Sequence, residues 1–188
     1  MSELFSTYEF AVAQKAEGRF LVRKILLMIL YIVYVGIALA TGLTVRIVVP
    51  LLALIPVTLW IIIFFTWRYT NIEYEYSMTS GVLTFTEIYG GRSRKKMAEF
   101  RIKDAVAILP LSDEETAKTV QKFDPMINYC AIPQKNARDT YVALYLDENV
   151  KIGGKPRHNA FTFVATGQAL KILKYYNPTA TVVTQVSL

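Results

Sequence analysis

The chain has 188 residues, with 21 Lys and Arg against 15 Asp and Glu, a formal net charge of +6, 53% hydrophobic and 19% charged residues. Such a composition excludes a disordered or collagen-like chain. One cysteine excludes an intramolecular disulfide framework, and one cysteine with one histidine is too few for a Cys/His zinc site, so neither a metal nor a cofactor is expected.

Residues 1–24 read as an amphipathic lead-in helix. Ser6-Thr7-Tyr8-Glu9 has capping-box spacing, and Phe10, Ala11, Val12, Ala13 and Phe20 follow interspersed with charge, which predicts a helix lying along a membrane surface.

Residues 25–67 read as a two-helix transmembrane hairpin. No charge lies between Lys24 and Arg46, or between Arg46 and Arg68, leaving two stretches of 21 residues. At about 1.5 Å per residue, each reaches across a hydrocarbon core of about 30 Å. Neither keeps the polar stripe of a soluble core helix. Thr41 to Arg46 is expected to supply the reversal, and Pro50 and Pro56 to kink the second span. Basic residues flank the outer ends (Lys15, Arg19, Arg23 and Lys24 before; Arg68, Arg92, Arg94, Lys95 and Lys96 after), whereas the turn has Arg46 alone. The positive-inside rule then places both termini in the cytoplasm and makes the protein a multi-pass membrane component. Gly36 and Ala40, with the pair Ala38 and Gly42, offer small faces for helix packing, within the hairpin or between copies in a homo-oligomer.

From residue 68 to 178 the pattern is that of a cytoplasmic sheet domain. Asn71 to Met78 alternates, Ser80-Gly81 marks a turn, and Val82 to Tyr89 continues as an antiparallel partner. Gly90-Gly91-Arg92-Ser93 turns the chain again before strands at Lys95–Ile102 and Ala105–Leu109. Ser112-Asp113-Glu114-Glu115 opens a short helix through about Phe123, and Asn128–Ile132 is a fifth strand. Thr140–Asp147 and Ala160–Val164 flank a polar loop with Gly153-Gly154 as strands six and seven. Thr166 caps a last helix striped by Ala169, Leu170, Leu173 and Tyr176; residues 179–188 form a tail.

Seven antiparallel strands in a meander, closed by a C-terminal helix, give an α+β roll beside the hairpin. Tyr74-Glu75-Tyr76-Ser77-Met78-Thr79-Ser80-Gly81-Val82-Leu83, the turn Gly90-Gly91-Arg92-Ser93-Arg94-Lys95-Lys96 and Phe100-Arg101-Ile102-Lys103-Asp104 resemble the membrane-anchored bacterial PH-like domains. In length and plan the chain is similar to small two-helix membrane proteins of Gram-positive anaerobes. The resemblance implies a PH-like roll, though the first turn, Thr79-Ser80-Gly81, lacks the cations of phosphoinositide-binding PH domains.

Arg92, Arg94, Lys95 and Lys96 are the candidate residues for anionic lipid; the other reading of this run is a solvated hairpin tip. His158, Cys130 and Asp139 or Asp147 could be written as a thiol catalytic set, but Cys130 reads as a buried apolar thiol in a strand and His158 as a loop residue. Asp113, Glu114 and Glu115 fit a helix N-terminus better than a metal. No P-loop, dinucleotide fingerprint or HExxH motif is present, and residues 68–188 balance 16 Lys and Arg with 12 Asp and Glu, which does not suit nucleic acid. The expectation is a non-enzymatic docking or assembly module, its partner groove beside the last helix near Leu170 and Leu173. The alternatives are an anionic-lipid-binding domain and an accessory subunit of a membrane transport or envelope complex.

Overall fold

The structure is a computed structural model describing residues 7–46 and 48–183. It divides into two compact units, one of Gln14–Ile72 with Tyr89–Ser93, the other of Met1–Ala13, Glu73–Ile88 and Arg94–Leu188.

In the first unit, helices α1 (Arg19–Val45) and α2 (Val48–Thr66) are each long and apolar enough to cross a membrane. Their threonines do not break them, because each hydroxyl donates within its own helix: Thr41 to the Ile37 carbonyl at 2.9 Å, Thr58 to Leu54 at 3.0 Å and Thr66 to Ile62 at 2.6 Å. Thr58 and Thr66 thereby spend their hydrogens and keep lone pairs, which accept from Tyr34 and Tyr31 across the hairpin, each at 2.5 Å. α1 runs on through Thr41–Val45, so the reversal is shorter than expected. Arg46 closes α1 at φ 60° with its N–H on the Gly42 carbonyl, and α2 begins at Val48. Pro50 lies in the first turn of α2, where no helical N–H is required, and the helix continues through Pro56.

Close approach of the helices occurs at Gly42, where an added Cβ would meet the Leu51 side chain at 2.9 Å. Gly36 has open space around it and Ala40 is exposed, so these two do not pack the hairpin. Most of both helices presents apolar side chains outward, including Ile32, Val49 (80% exposed), Leu52 and Phe65.

Among the described residues the second unit holds eight strands, not seven, in two four-stranded sheets. Strands β1 (Thr7–Ala13), β2 (Ile72–Thr79), β3 (Val82–Tyr89) and β4 (Ser93–Arg101) lie in that order in one sheet. The expected N-terminal helix is therefore a strand over Thr7–Ala13, and helix begins only at Arg19. β1 pairs antiparallel with β2 from Thr7↔Thr79 to Ala13↔Glu73, and Tyr8, Phe10 and Val12 alternate inward between exposed neighbours. The ladder overrides the capping-box pattern because these three large residues have period two. The whole hairpin is thus an insertion between two adjacent, paired strands.

The second sheet has β5 (Ala105–Pro110), β6 (Ile127–Ala131), β7 (Thr140–Ile152) and β8 (Lys155–Val164) in the order β5-β7-β8-β6. Here the meander fails: β6 is parallel to β8. Helix α3 (Glu114–Phe123) carries the chain from β5 to the far side of β8, with Val120 and Phe123 packing on Val142, Leu144 and Ala160. Its cap is Asp113, one residue later than the box pattern suggested, accepting from the Glu115 N–H at 3.2 Å.

Between the sheets, Phe85 packs on Phe161, Phe161 on Phe163, and Tyr76 on Phe163, with ring centres 5.0, 5.1 and 5.5 Å apart. Helix α4 (Gly167–Tyr176), capped by Thr166 as expected, contributes Ala169, Leu170, Ile172 and Leu173 to this core. Leu170 and Leu173 are 1% and 0% exposed, so they are core side chains and cannot line an open partner groove. The tail begins as structure: Ile108 donates to Ala180 at 2.8 Å and accepts from Val182 at 3.0 Å, covering the outer edge of β5.

Candidate functional site

The basic run Arg92–Lys96 is split by the fold. Arg94, Lys95 and Lys96 lie on β4 in the sheet unit, whereas Arg92 sits in the preceding turn and belongs to the helical unit. Arg94 pairs with Glu75 at 3.4 Å and Lys96 with Glu99 at 2.5 Å. The Lys96 hydrogen bond, helped by one from Thr84, holds the Glu99 carboxyl below its ordinary range. Lys95 has no ion pair among the described residues. Two of the four candidate cations are therefore matched by carboxylates, and the run does not act as one patch.

Arg92 finds a different neighbour in Arg68. α2 passes into a short 3₁₀ turn, Trp67–Thr70, and the β3–β4 turn is clamped to it. The Gly90 N–H donates to the Asn71 carbonyl at 2.8 Å, and the Tyr69 and Tyr89 rings meet edge to face at 6.1 Å. Glycine is required at position 90 on two grounds: its φ is +59°, and a Cβ there would lie 2.8 Å from the Arg68 Cβ. This clamp brings the Arg92 guanidinium over the Phe64 ring, 5.3 Å from its centre. Arg68 lies 4.7 Å over the Tyr69 ring and donates to the Tyr69 Oη at 2.6 Å.

Together these residues border an open cavity of about 350 Å³, lined by Trp60, Ile63, Phe64, Trp67, Arg68, Asn71, Gly90 and Arg92. Among the described residues neither arginine pairs with a carboxylate. The helical unit carries Lys15, Arg19, Arg23, Lys24, Arg46, Arg68 and Arg92 against Glu17 alone. Guanidinium stacked on an aromatic ring keeps its N–H groups in plane and free for a planar or tetrahedral oxyanion. The site therefore offers two charge-assisted donors at the end of an apolar, aromatic wall.

Arg68 was legible only as a flanking charge. The missed signal is the spacing of Trp60, Phe64 and Trp67, which puts three aromatic rings on one helical face leading to Arg68.

The other candidates are not assembled into chemistry. His158 stacks on Phe123, ring centres 4.6 Å apart, and its Nδ1 lies 2.9 Å from the Phe123 carbonyl oxygen. Cys130 is opposite Thr162, four positions along β8 from His158, or roughly 13 Å at strand rise. It is also exposed, contrary to the expected buried thiol. Gly153 and Gly154 form a tight turn at φ +59° and +82° between strands that run further than expected. No group of three His, Cys, Asp or Glu side chains suited to a metal occurs among the described residues.

Neither the curated proteins nor the solved structures yield a match. The family model described as "Bacterial PH-like domain (DUF6106)" matches residues 3–153, from the N-terminal strand segment through both apolar helices to the end of β7. On that span, the chain belongs to the bacterial PH-like domain family.

Proposed function

We propose that this chain is a non-enzymatic docking module, anchored by its helical hairpin in a bacterial plasma membrane with the PH-like domain and both termini in the cytoplasm. One observation carries the topology. β1 and β2 lie on either side of the hairpin in sequence and pair residue by residue, Ala13 opposite Glu73. A chain that leaves a sheet and returns to the neighbouring strand must cross a membrane an even number of times. The outward-facing Ile32, Val49, Leu52 and Phe65 need lipid as solvent, and the excess of cations at the outer ends over the turn favours the cytoplasm for those ends.

Docking of a protein partner is supported by the family and by β6, whose outer edge has no paired strand among the described residues. A second reading, assembly through the spans with another copy or with a transport or envelope complex, is favoured by Gly36 and Ala40, which have no packing role within the hairpin.

Cys130 makes both parts testable, because it is the chain's one cysteine and is exposed on β6. A membrane-impermeant maleimide should leave it unlabelled in intact cells and label it after permeabilisation. In a Cys130→Ser background, Arg46→Cys should label in intact cells. Labelling of Cys130 from outside would overturn the topology. A photo-crosslinker on Cys130 should yield a discrete adduct in native membranes if β6 docks a partner, whereas Gly36→Cys crosslinks with none at Cys130 would favour the spans.

A further inference from the structure

We infer that the cavity between α2 and the Gly90-Gly91 turn is a binding site for an anionic phospholipid, its phosphate held by Arg68 and Arg92 and its acyl chain lying along Phe64 and Trp60. This site differs from the loop by which phosphoinositide-binding PH domains hold their ligand, and it rests on the reading of the hairpin as membrane-embedded.

Three features point to a lipid. Both arginines line the cavity without a carboxylate partner among the described residues, so the site has unspent positive charge in a unit with Glu17 as its lone acidic residue. The cavity does not end at the cations. It runs onto Phe64 and Trp60, 45% and 65% exposed, about two helical turns back into the apolar span. A water-soluble phosphate would use the arginines and leave these rings idle, while a phospholipid uses both ends. Finally, the cradle is built rather than incidental, since the Gly90–Asn71 hydrogen bond and the absence of a Cβ at Gly90 fix the turn against Arg68. Arginine suits the task better than lysine because its planar fork stacks on a ring while still bonding phosphate oxygens.

The chain supplies its own reporter: it has two tryptophans, Trp60 and Trp67, and both line the cavity. Full-length protein in neutral detergent micelles would be titrated with brominated phosphatidylglycerol or brominated phosphatidylcholine while tryptophan emission is followed. Phosphatidylglycerol should quench at a lower mole fraction, by about fivefold per arginine engaged. Arg68→Gln with Arg92→Gln should bring it to the phosphatidylcholine curve. Equal quenching of the wild-type chain by both lipids would remove the site and leave the hairpin in place. No quenching by either would remove the membrane reading as well. Inorganic phosphate at millimolar concentration should not reverse the phosphatidylglycerol effect; reversal would assign the arginines to a soluble phosphate and overturn the lipid. Unchanged circular dichroism of the double variant, and an unchanged phosphatidylcholine curve, distinguish loss of the site from loss of the fold.

Discussion

Asn177 donates its side-chain Nδ2 to the carbonyl of Ile102 at 3.0 Å, joining the residue after α4 to the corner between the two sheets. The same nitrogen reaches the Ala105 carbonyl at 2.9 Å, and its Oδ1 accepts from the Ala180 N–H at 3.2 Å. One buried amide thus satisfies backbone groups of the β4–β5 corner and of the segment that goes on to cover β5. Nothing apolar of that size can do so.

Asn177→Leu should therefore cost about 2–3 kcal/mol, since it leaves buried carbonyls without donors while adding apolar volume. Urea unfolding of the detergent-solubilised chain, followed by far-UV circular dichroism, reads this directly. A change under 0.5 kcal/mol would show that water replaces the amide at this corner.

Gly81 provides an independent test of the same end of the roll. Its φ is +78°, and a Cβ there would lie 2.9 Å from the Tyr176 ring. Gly81→Ala combines backbone strain with a clash, a cost of about 1–3 kcal/mol. Adding Tyr176→Ala should recover the steric part only, so the double variant should be more stable than the two single losses added together. Strict additivity would mean that the ring moves aside freely.

Local period made most of the sheet domain legible. Ile72, Tyr74, Tyr76 and Met78 alternate over eight residues, and this one-sided pattern is enough to place β2 and to bury its correct face. Uncharged length did the same for the helices. The N-terminal strand was missed because the capping-box spacing at its start reads as helix, and its pairing partner begins beyond the whole hairpin, at Glu73. The period-two signal of Tyr8, Phe10 and Val12 was present, but no local pattern names a neighbour that distant in sequence. β6 was placed correctly but given the wrong direction, because residue pattern carries no information on where α3 delivers the chain. The basic run misled for a related reason: four adjacent cations read as one patch, yet tertiary structure sets Arg94 against Glu75 and moves Arg92 to Phe64.

On the proposed membrane reading of the hairpin, the hydroxyl pair Tyr31 and Thr66 gives a prediction of its own. Thr66 has committed its hydrogen to the Ile62 carbonyl, so the tyrosine is the donor across the helices. Tyr31→Phe should weaken association of α1 with α2 by about 0.6 kcal/mol, and by no more than about 1.7, because hydroxyls in a membrane find substitutes in the separated state. A double-mutant cycle with Thr66→Val, read by unfolding in mixed micelles, isolates the coupling. A coupling energy of zero would mean that the helices are held by apolar packing alone, with Gly42 against Leu51 as its tightest point.

Two core tyrosines make the roll sensitive to alkali. Burial chiefly raises the pKa of Tyr76, with the neighbouring Tyr8 adding to it; burial likewise raises Tyr145, only partly offset by a hydrogen bond with Asn159. In the unfolded chain both titrate near pH 10. The sign follows from linkage: a group whose folded pKa is raised contributes stability that is complete below the unfolded pKa and declines as pH rises through the folded one. Between about pH 10.5 and 12 the unfolded state has released these two protons and the native state has not, so each tyrosine should lower stability by about 1.4 kcal/mol per pH unit. Tyr145→Phe removes one of them. Its stability should therefore fall less steeply than wild type across that interval, by about 1.4 kcal/mol per pH unit, whatever its stability at neutral pH. Denaturant unfolding at several alkaline pH values compares the two slopes, and parallel lines would mean that Tyr145 ionises in the folded protein as readily as in the unfolded chain.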